Sequence, residues 1–173
     1  MKVIAVVGSK NSGKTTTIEN LVNELTKRGI NIAVIKHISQ PDFTIDTVGK
    51  DTWKFAKAGA KTIISVAKHE IAKIEKTSFD KISLEKLLKK CEGSELVIIE
   101  GLKKLLATNE NIPKIAVVIN AEEVKKAIKL FRPILAFSGP FIVKKADIVI
   151  PYANGLESSQ KLADIVVSWL KKE

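Results

Sequence analysis

Apolar residues along the chain fall into two patterns that alternate. Short unbroken runs rich in β-branched residues occupy positions 3–7, 31–36, 96–99, 115–119 and 134–137. Near-continuous apolar character over so few residues predicts strands covered on both faces, as the strands of a parallel sheet are. Between them, apolar positions recur with helical spacing: Ile18, Leu21, Val22 and Leu25; Leu84, Leu87, Leu88 and Cys91; Val124, Ala127, Ile128 and Phe131; Leu162, Ile165, Val166 and Trp169. Each set gives a helix one stripe to lay on a sheet. Gly29 is placed to stop the first helix and Ser83 to cap the second. The alternation predicts an α/β fold, three layers deep, with a mostly parallel sheet flanked by helices. Residues 62–67 and 70–75 predict an antiparallel pair or edge hairpin, and 147–150 a last short strand. Residues 38–50 fit neither period, and a long irregular stretch in a compact α/β domain is a candidate lid.

Length and composition narrow the class. The 173 residues, 45% of them hydrophobic, suit one domain over 1–173 with one core. No apolar run approaches the roughly 18 residues of a membrane helix, and Met1-Lys2, a brief apolar run and Gly8 lack the pattern of a secretory signal. A cytosolic protein without membrane contact is the expectation. A single cysteine, Cys91, and two histidines exclude a disulfide scaffold and a thiolate zinc cage; Cys91, on its apolar stripe, reads as an inert thiol. The net charge of +10 raises the question of a polyanionic partner. All the basic residues except Arg28 and Arg132 are lysine, spread end to end without interleaved aromatics, which fits a solvated surface better than a nucleic-acid footprint.

Gly8-Ser9-Lys10-Asn11-Ser12-Gly13-Lys14-Thr15 supplies the chemistry. It matches G-x-x-x-x-G-K-[ST] at every fixed position, directly after a predicted strand and directly before a predicted helix. Glycines let the backbone wrap a phosphate chain, and the amides of the loop and helix N-terminus converge on it. The nucleotide-binding candidates are Gly8, Lys10, Asn11, Ser12, Gly13, Lys14, Thr15 and Thr16, with the Lys14 ammonium on the β and γ phosphates and the Thr15 hydroxyl on Mg²⁺. A fold of this kind also needs an acidic residue at the end of a neighbouring strand. Glu100, closing the run 96–99 and followed by Gly101, fills that place as metal ligand or water-orienting group. Lys14, Glu100 and Asp46 are the catalytic candidates, and Thr15, Asp46 and Glu100 the metal candidates. His37, Lys50 and Asp51 form a candidate substrate or partner loop, although the same residues suit a solvated loop that leads into a helix. Trp53 and Phe55 read as core or dimer contacts. His69 reads as part of a surface hairpin.

The base pocket is less marked. No N-K-x-D occurs; Asn120-Ala121-Glu122-Glu123 comes nearest, Lys144-Lys145-Ala146-Asp147 is a poorer match, and Ser138-Gly139 follows a strand where a base-edge loop belongs. Asn120 and Ser138 are therefore nucleotide-binding candidates that read equally as a helix cap and a turn.

The phosphate loop, the strand-ending Lys36-His37, the stretch Asp42-Phe43-Thr44-Ile45-Asp46-Thr47-Val48-Gly49-Lys50-Asp51-Thr52, the following Ala58-Gly59-Ala60 and the strand Val97-Ile98-Ile99-Glu100-Gly101 together resemble the MobB family, molybdopterin-guanine dinucleotide biosynthesis protein B. The resemblance covers more than half the chain. Ile38-Ser39-Gln40-Pro41 stands where many members carry further histidine. The resemblance implies a P-loop fold and a GTP-binding adapter with weak, Mg²⁺-dependent GTPase activity. It also implies a homodimer that assists the guanylyltransferase attaching GMP to molybdopterin. The choice of GTP over ATP rests on it. A P-loop small-molecule kinase using ATP lacks the arginines for a lid, and a metal-insertion GTPase lacks ligands. A nucleotide-gated binding module is the non-enzymatic alternative.

Overall fold

The computed structural model describes residues 1–141, 152–153 and 157–172. Along the chain run β1 (Lys2–Gly8), α1 (Lys14–Lys27), β2 (Ile32–Lys36), α2 (Asp51–Lys57), β3 (Thr62–Val66), β4 (Ile71–Glu75), a 3₁₀ turn (Phe79–Lys81), α3 (Leu84–Lys89), β5 (Leu96–Glu100), α4 (Lys103–Leu106), β6 (Lys114–Val117), α5 (Ala121–Leu130), β7 (Ile134–Ser138), β8 (Tyr152–Ala153) and α6 (Glu157–Leu170). Contacts divide them into two compact units, Met1–His37 with Leu88–Glu173, and Ile38–Leu87.

The first unit is a six-stranded sheet in the order β2-β5-β1-β6-β7-β8, every pair parallel. Side chains alternate between its faces. Ile4 and Val6, Leu96 and Ile98, and Ile115 and Val117 point to one face, where they join Ile18, Leu21 and Leu25 of α1 and Leu162, Ala163 and Val166 of α6 in one core. Ala5, Val7, Val97, Ile99 and Ala116 face the other way and are equally buried. Val7 and Ala116 share a cavity wall there with Ala127 of α5. Burial on both faces is why these strands read as unbroken apolar runs. The three-layer parallel architecture expected from the sequence is thus present. Because all strands run the same way, the segments after β1, β2, β5, β6 and β7 leave from one edge of the sheet, the edge where open α/β folds place their ligands.

The second unit holds the irregular stretch 38–50, α2 and the hairpin β3–β4, in which Val66 pairs with Ile71 and Thr62 with Glu75. The hairpin forms as expected, but as a separate two-stranded sheet and not as an edge of the larger one. Phe55 is exposed, so it is not part of this unit's core; Trp53 lies under the Lys57 ammonium at 5.4 Å.

Two boundaries and one stripe position differ from the sequence pattern. β6 ends at Val117 because the Ile119 amide donates to Glu123 Oε2 (3.0 Å), leaving Ile119 exposed. α3 ends at Lys89, so Cys91 lies in the turn beyond it, its amide on Leu88 O (2.9 Å). Burial pushes the Cys91 thiol up, in keeping with an inert group. Ile128 is exposed while Val124, Ala127 and Phe131 of the same stripe are buried. The strand expected at 147–150 and the motif at 144–147 lie outside the described residues. Among the described residues no helix is long and apolar enough to cross a membrane.

Candidate functional site

The loop between β1 and α1 closes on itself tightly. A Cβ on Gly8 would stand 2.5 Å from the Val117 carbonyl oxygen and 2.6 Å from Ser12 Oγ, so only glycine lets the backbone turn here against β6. Asn11 (φ 62°) and Gly13 (φ 96°) adopt left-handed conformations that reverse the chain into α1. Gly13 caps α1 without a side-chain hydrogen bond, and the first turn carries no acidic residue. The first-turn amides of a helix have no partner within it, and the helix adds positive potential at the same end. The buried hydroxyls of Ser9 and Ser12 lack a hydrogen-bond partner. The Lys14 ammonium bends back to donate to the Ser9 carbonyl. Burial lowers its pKa; Glu100 opposes that, while Lys103 and Lys36 add to it. A loop with glycine at its closest approach, orphaned hydroxyls, a bare helix N-terminus and a folded-in ammonium has the donor set that a phosphate chain requires. Lys10, Asn11, Thr15 and Thr16 stand exposed around it.

Register brings an acid and a second cation to the same place. β2, β5 and β1 lie side by side with Lys36 opposite Glu100 and Glu100 opposite Val6. Thr15 Oγ1 lies 3.5 Å from each Glu100 oxygen, at the outer limit of a hydrogen bond. Lys36 Nζ approaches Glu100 Oε2 at 3.2 Å and Thr15 Oγ1 at 3.4 Å. A hydroxyl and a carboxylate beside a triphosphate loop form an oxygen donor set of the kind Mg²⁺ takes, and the residues fit that ion. Sequence reasoning gives Lys36 no role; that it ends an apolar strand is visible there, but its partner comes only from the register of β2 with β5. Gly101, next in the chain, is held to glycine by its neighbour and its backbone. A Cβ there would meet His37 Cβ at 2.9 Å, and the residue has φ +91°. The His37 amide donates to the Glu100 carbonyl (2.9 Å), which fixes His37 at the sheet edge.

The other candidates are placed as follows. Asn120 caps α5, its side chain accepting from the Glu123 amide (2.9 Å), while the Glu123 carboxylate turns back to the Ile119 amide. This is a reciprocal cap of the capping-box kind. Ser138 is buried at the end of β7, beside Gly139, where a Cβ would stand 2.5 Å from the Val118 carbonyl oxygen. Asp46 belongs to the second unit: its Oδ1 accepts from Thr52 Oγ1 (2.7 Å), and its Oδ2 is buried without a hydrogen-bond partner. Asp51 pairs with Lys54 at 3.2 Å in the first turns of α2, and Lys50 is that helix's exposed N-cap. Among the described residues no three His, Cys, Asp or Glu side chains gather into a metal-holding group.

The chain is similar to several known proteins. The sequence profile of molybdopterin guanine dinucleotide synthesis protein B (MobB) matches residues 3–138. A relative from Methanocaldococcus jannaschii is 41% identical over 119 residues, which is 66% of this chain and 46% of the relative, so the match spans about half of that protein's length. The molybdopterin-guanine dinucleotide biosynthesis adapter protein of Haemophilus influenzae is 34% identical over 128 residues, 73% of this chain and 67% of its own. The crystal structure of a molybdopterin-guanine biosynthesis protein B superposes with a TM-score of 0.76 at 26% identity, covering 98% of this chain and 99% of that one.

Proposed function

The chain belongs to the MobB family, and from that membership we propose that it is a GTP-binding accessory protein of molybdenum cofactor biosynthesis with weak Mg²⁺-dependent GTPase activity. The observation that carries the reading is the phosphate loop with its orphaned hydroxyls and folded-in Lys14, set beside Thr15 and Glu100. Lys14 would leave the Ser9 carbonyl for the β and γ phosphates, and the loop amides would take the oxygens between them. Thr15 and Glu100 would hold magnesium, which supplies charge neutralisation to the departing phosphate. Glu100 would also orient the attacking water.

Slow turnover follows from where the arginines lie. Arg28 follows α1 at the end away from the loop and pairs with Asp164 at 2.7 Å; Arg132 precedes β7, at the sheet edge opposite the site. Neither reaches a transferring phosphate. An arginine finger is worth about 10³–10⁵ in rate, so hydrolysis without one is slow and the protein works by binding. The name of the Haemophilus relative supports an adapter role; the guanylyltransferase as its partner and molybdopterin as a further ligand belong to the same proposal. We read residues 1–173 as one working, cytoplasmic domain that acts as a homodimer; the family match running through both units supports that single domain. His37, Lys50 and Asp51 remain its candidate partner loop, Asp46 a candidate catalytic and metal residue, and Asn120 and Ser138 its candidate base contacts.

Thermal shift tests the reading. GTP with Mg²⁺ should raise the melting temperature more than ATP with Mg²⁺, since the better ligand stabilises more at equal concentration. Lys14→Ala should abolish the gain. A rise with ATP alone, or an equal rise in the variant, would defeat it.

A further inference from the structure

Lys36 stands against both groups that the proposed function gives to magnesium. Its Nζ lies 3.2 Å from Glu100 Oε2 and 3.4 Å from Thr15 Oγ1, and Thr15 Oγ1 lies 3.5 Å from each oxygen of Glu100. A partly desolvated carboxylate requires a counter-charge. Glu100 is well covered, with 13% of its side chain exposed, and the lysine supplies that charge. A divalent ion and an ammonium cannot share this carboxylate without repelling each other over the same few ångströms. That repulsion favours release of one of them, and the two differ in mobility. The Lys36 side chain is 50% exposed at the end of β2, so its head can move into water along a flexible stem, whereas Glu100 is anchored between two strands.

We propose that the Lys36 ammonium is a built-in stand-in for the metal. It neutralises Glu100 and keeps it beside Thr15 while the loop holds no nucleotide, and it is displaced when magnesium enters with a triphosphate. Lys36 is then a positioning residue that sets how much magnesium the site demands. The proposal rests on the reading of Thr15 and Glu100 as metal-holding groups of a nucleotide site.

Calorimetric titration of GTP into wild-type and Lys36→Met protein, repeated over a series of Mg²⁺ concentrations, tests it. Methionine keeps an apolar stem and removes the charge; Lys36→Gln is a second uncharged variant if methionine impairs folding. The Mg²⁺ concentration giving half-maximal enhancement of GTP affinity should fall about two- to fivefold in the uncharged variants, the factor carried by a half-exposed ion pair. Affinity in EDTA should not rise, and Lys36→Arg, which retains the charge, should keep the wild-type requirement. An unchanged or higher magnesium requirement in the uncharged variants, with GTP binding intact, overturns the proposal. Wild-type protein that binds no GTP at any magnesium concentration overturns the nucleotide reading itself, and this proposal with it.

Discussion

Lys14 carries two opposed demands. Burial holds its pKa below the usual 10.5, Glu100 resists, and Lys103 and Lys36 add to the fall, yet a phosphate chain needs the ammonium. The unfolded chain therefore keeps this proton to a higher pH than the folded chain. Between the folded pKa and 10.5 the wild type gains stability as pH rises; below that window the charged, partly desolvated lysine weighs on the fold. Without nucleotide, the difference in urea midpoint between wild type and Lys14→Met should be flat in neutral buffer and move in favour of the wild type through that window. GTP affinity should decline over the same window, because binding requires the proton that folding disfavours. A stability difference moving the other way would mean that the Glu100 charge outweighs the lysine's burial. Gly101 is constrained in a simpler manner, by φ +91° and by the nearness of His37 Cβ at 2.9 Å. Gly101→Ala should cost about 2 kcal/mol or more, part from the left-handed backbone and part from overpacking. Adding His37→Gly should recover the second part and leave the first, which a double-mutant cycle on melting temperature would separate.

At the scale of elements, α5 shows how a helix end competes with a ligand for the same residue. The Asn120 side chain accepts from the Glu123 amide, and Glu123 returns to the Ile119 amide. Asn120→Ala should lower stability by about 1 kcal/mol, the usual worth of such a cap. We expect the ratio of GTP to ATP affinity to be unchanged by it; a collapse of that ratio would make Asn120 a base contact as well. The cap and the phosphate loop were both legible in the sequence because each is a local device: donor, acceptor and turn residues fall within a few positions. The strands were legible because burial on both faces leaves no room for polar residues. Lys36 was not, since its meaning comes from register with Glu100 across β2 and β5, 64 residues on in the chain. Nor was Lys114, which is fully buried at the start of β6 with its ammonium on the carbonyls of Asn109 and Arg132. Those acceptors converge only in the folded chain, so a lysine there reads in sequence as a strand boundary. β8 escaped notice for a related reason: two residues beside β7 hold no period.

Across the whole molecule the two units differ in what protects their backbones. The first places β1, β5 and β6 in the interior of a sheet covered by α1 and α6, and the side chains from Ile4 to Val7 and from Leu96 to Ile99 are fully buried. In the second, α2 has no buried residue, Ile63 is buried on β3, and Ile64, Val66 and Ile71 turn apolar side chains outward with 60%, 75% and 71% exposure. Opening such a segment exposes little additional apolar surface, so its local opening free energy should fall well below that of global unfolding. Hydrogen exchange on the nucleotide-free protein should therefore find α2 and the β3–β4 hairpin exchanging before β1, β5 and β6, and at a rate independent of protein concentration if the chain is monomeric. Three outward apolar residues on a two-stranded sheet also give the proposed homodimer a surface to test. If the homodimer forms through this hairpin, its exchange should slow as concentration rises while that of β1 stays constant. Uniform exchange of both units at every concentration would mean that the second unit draws its stability from the first, and that the chain opens as one cooperative body.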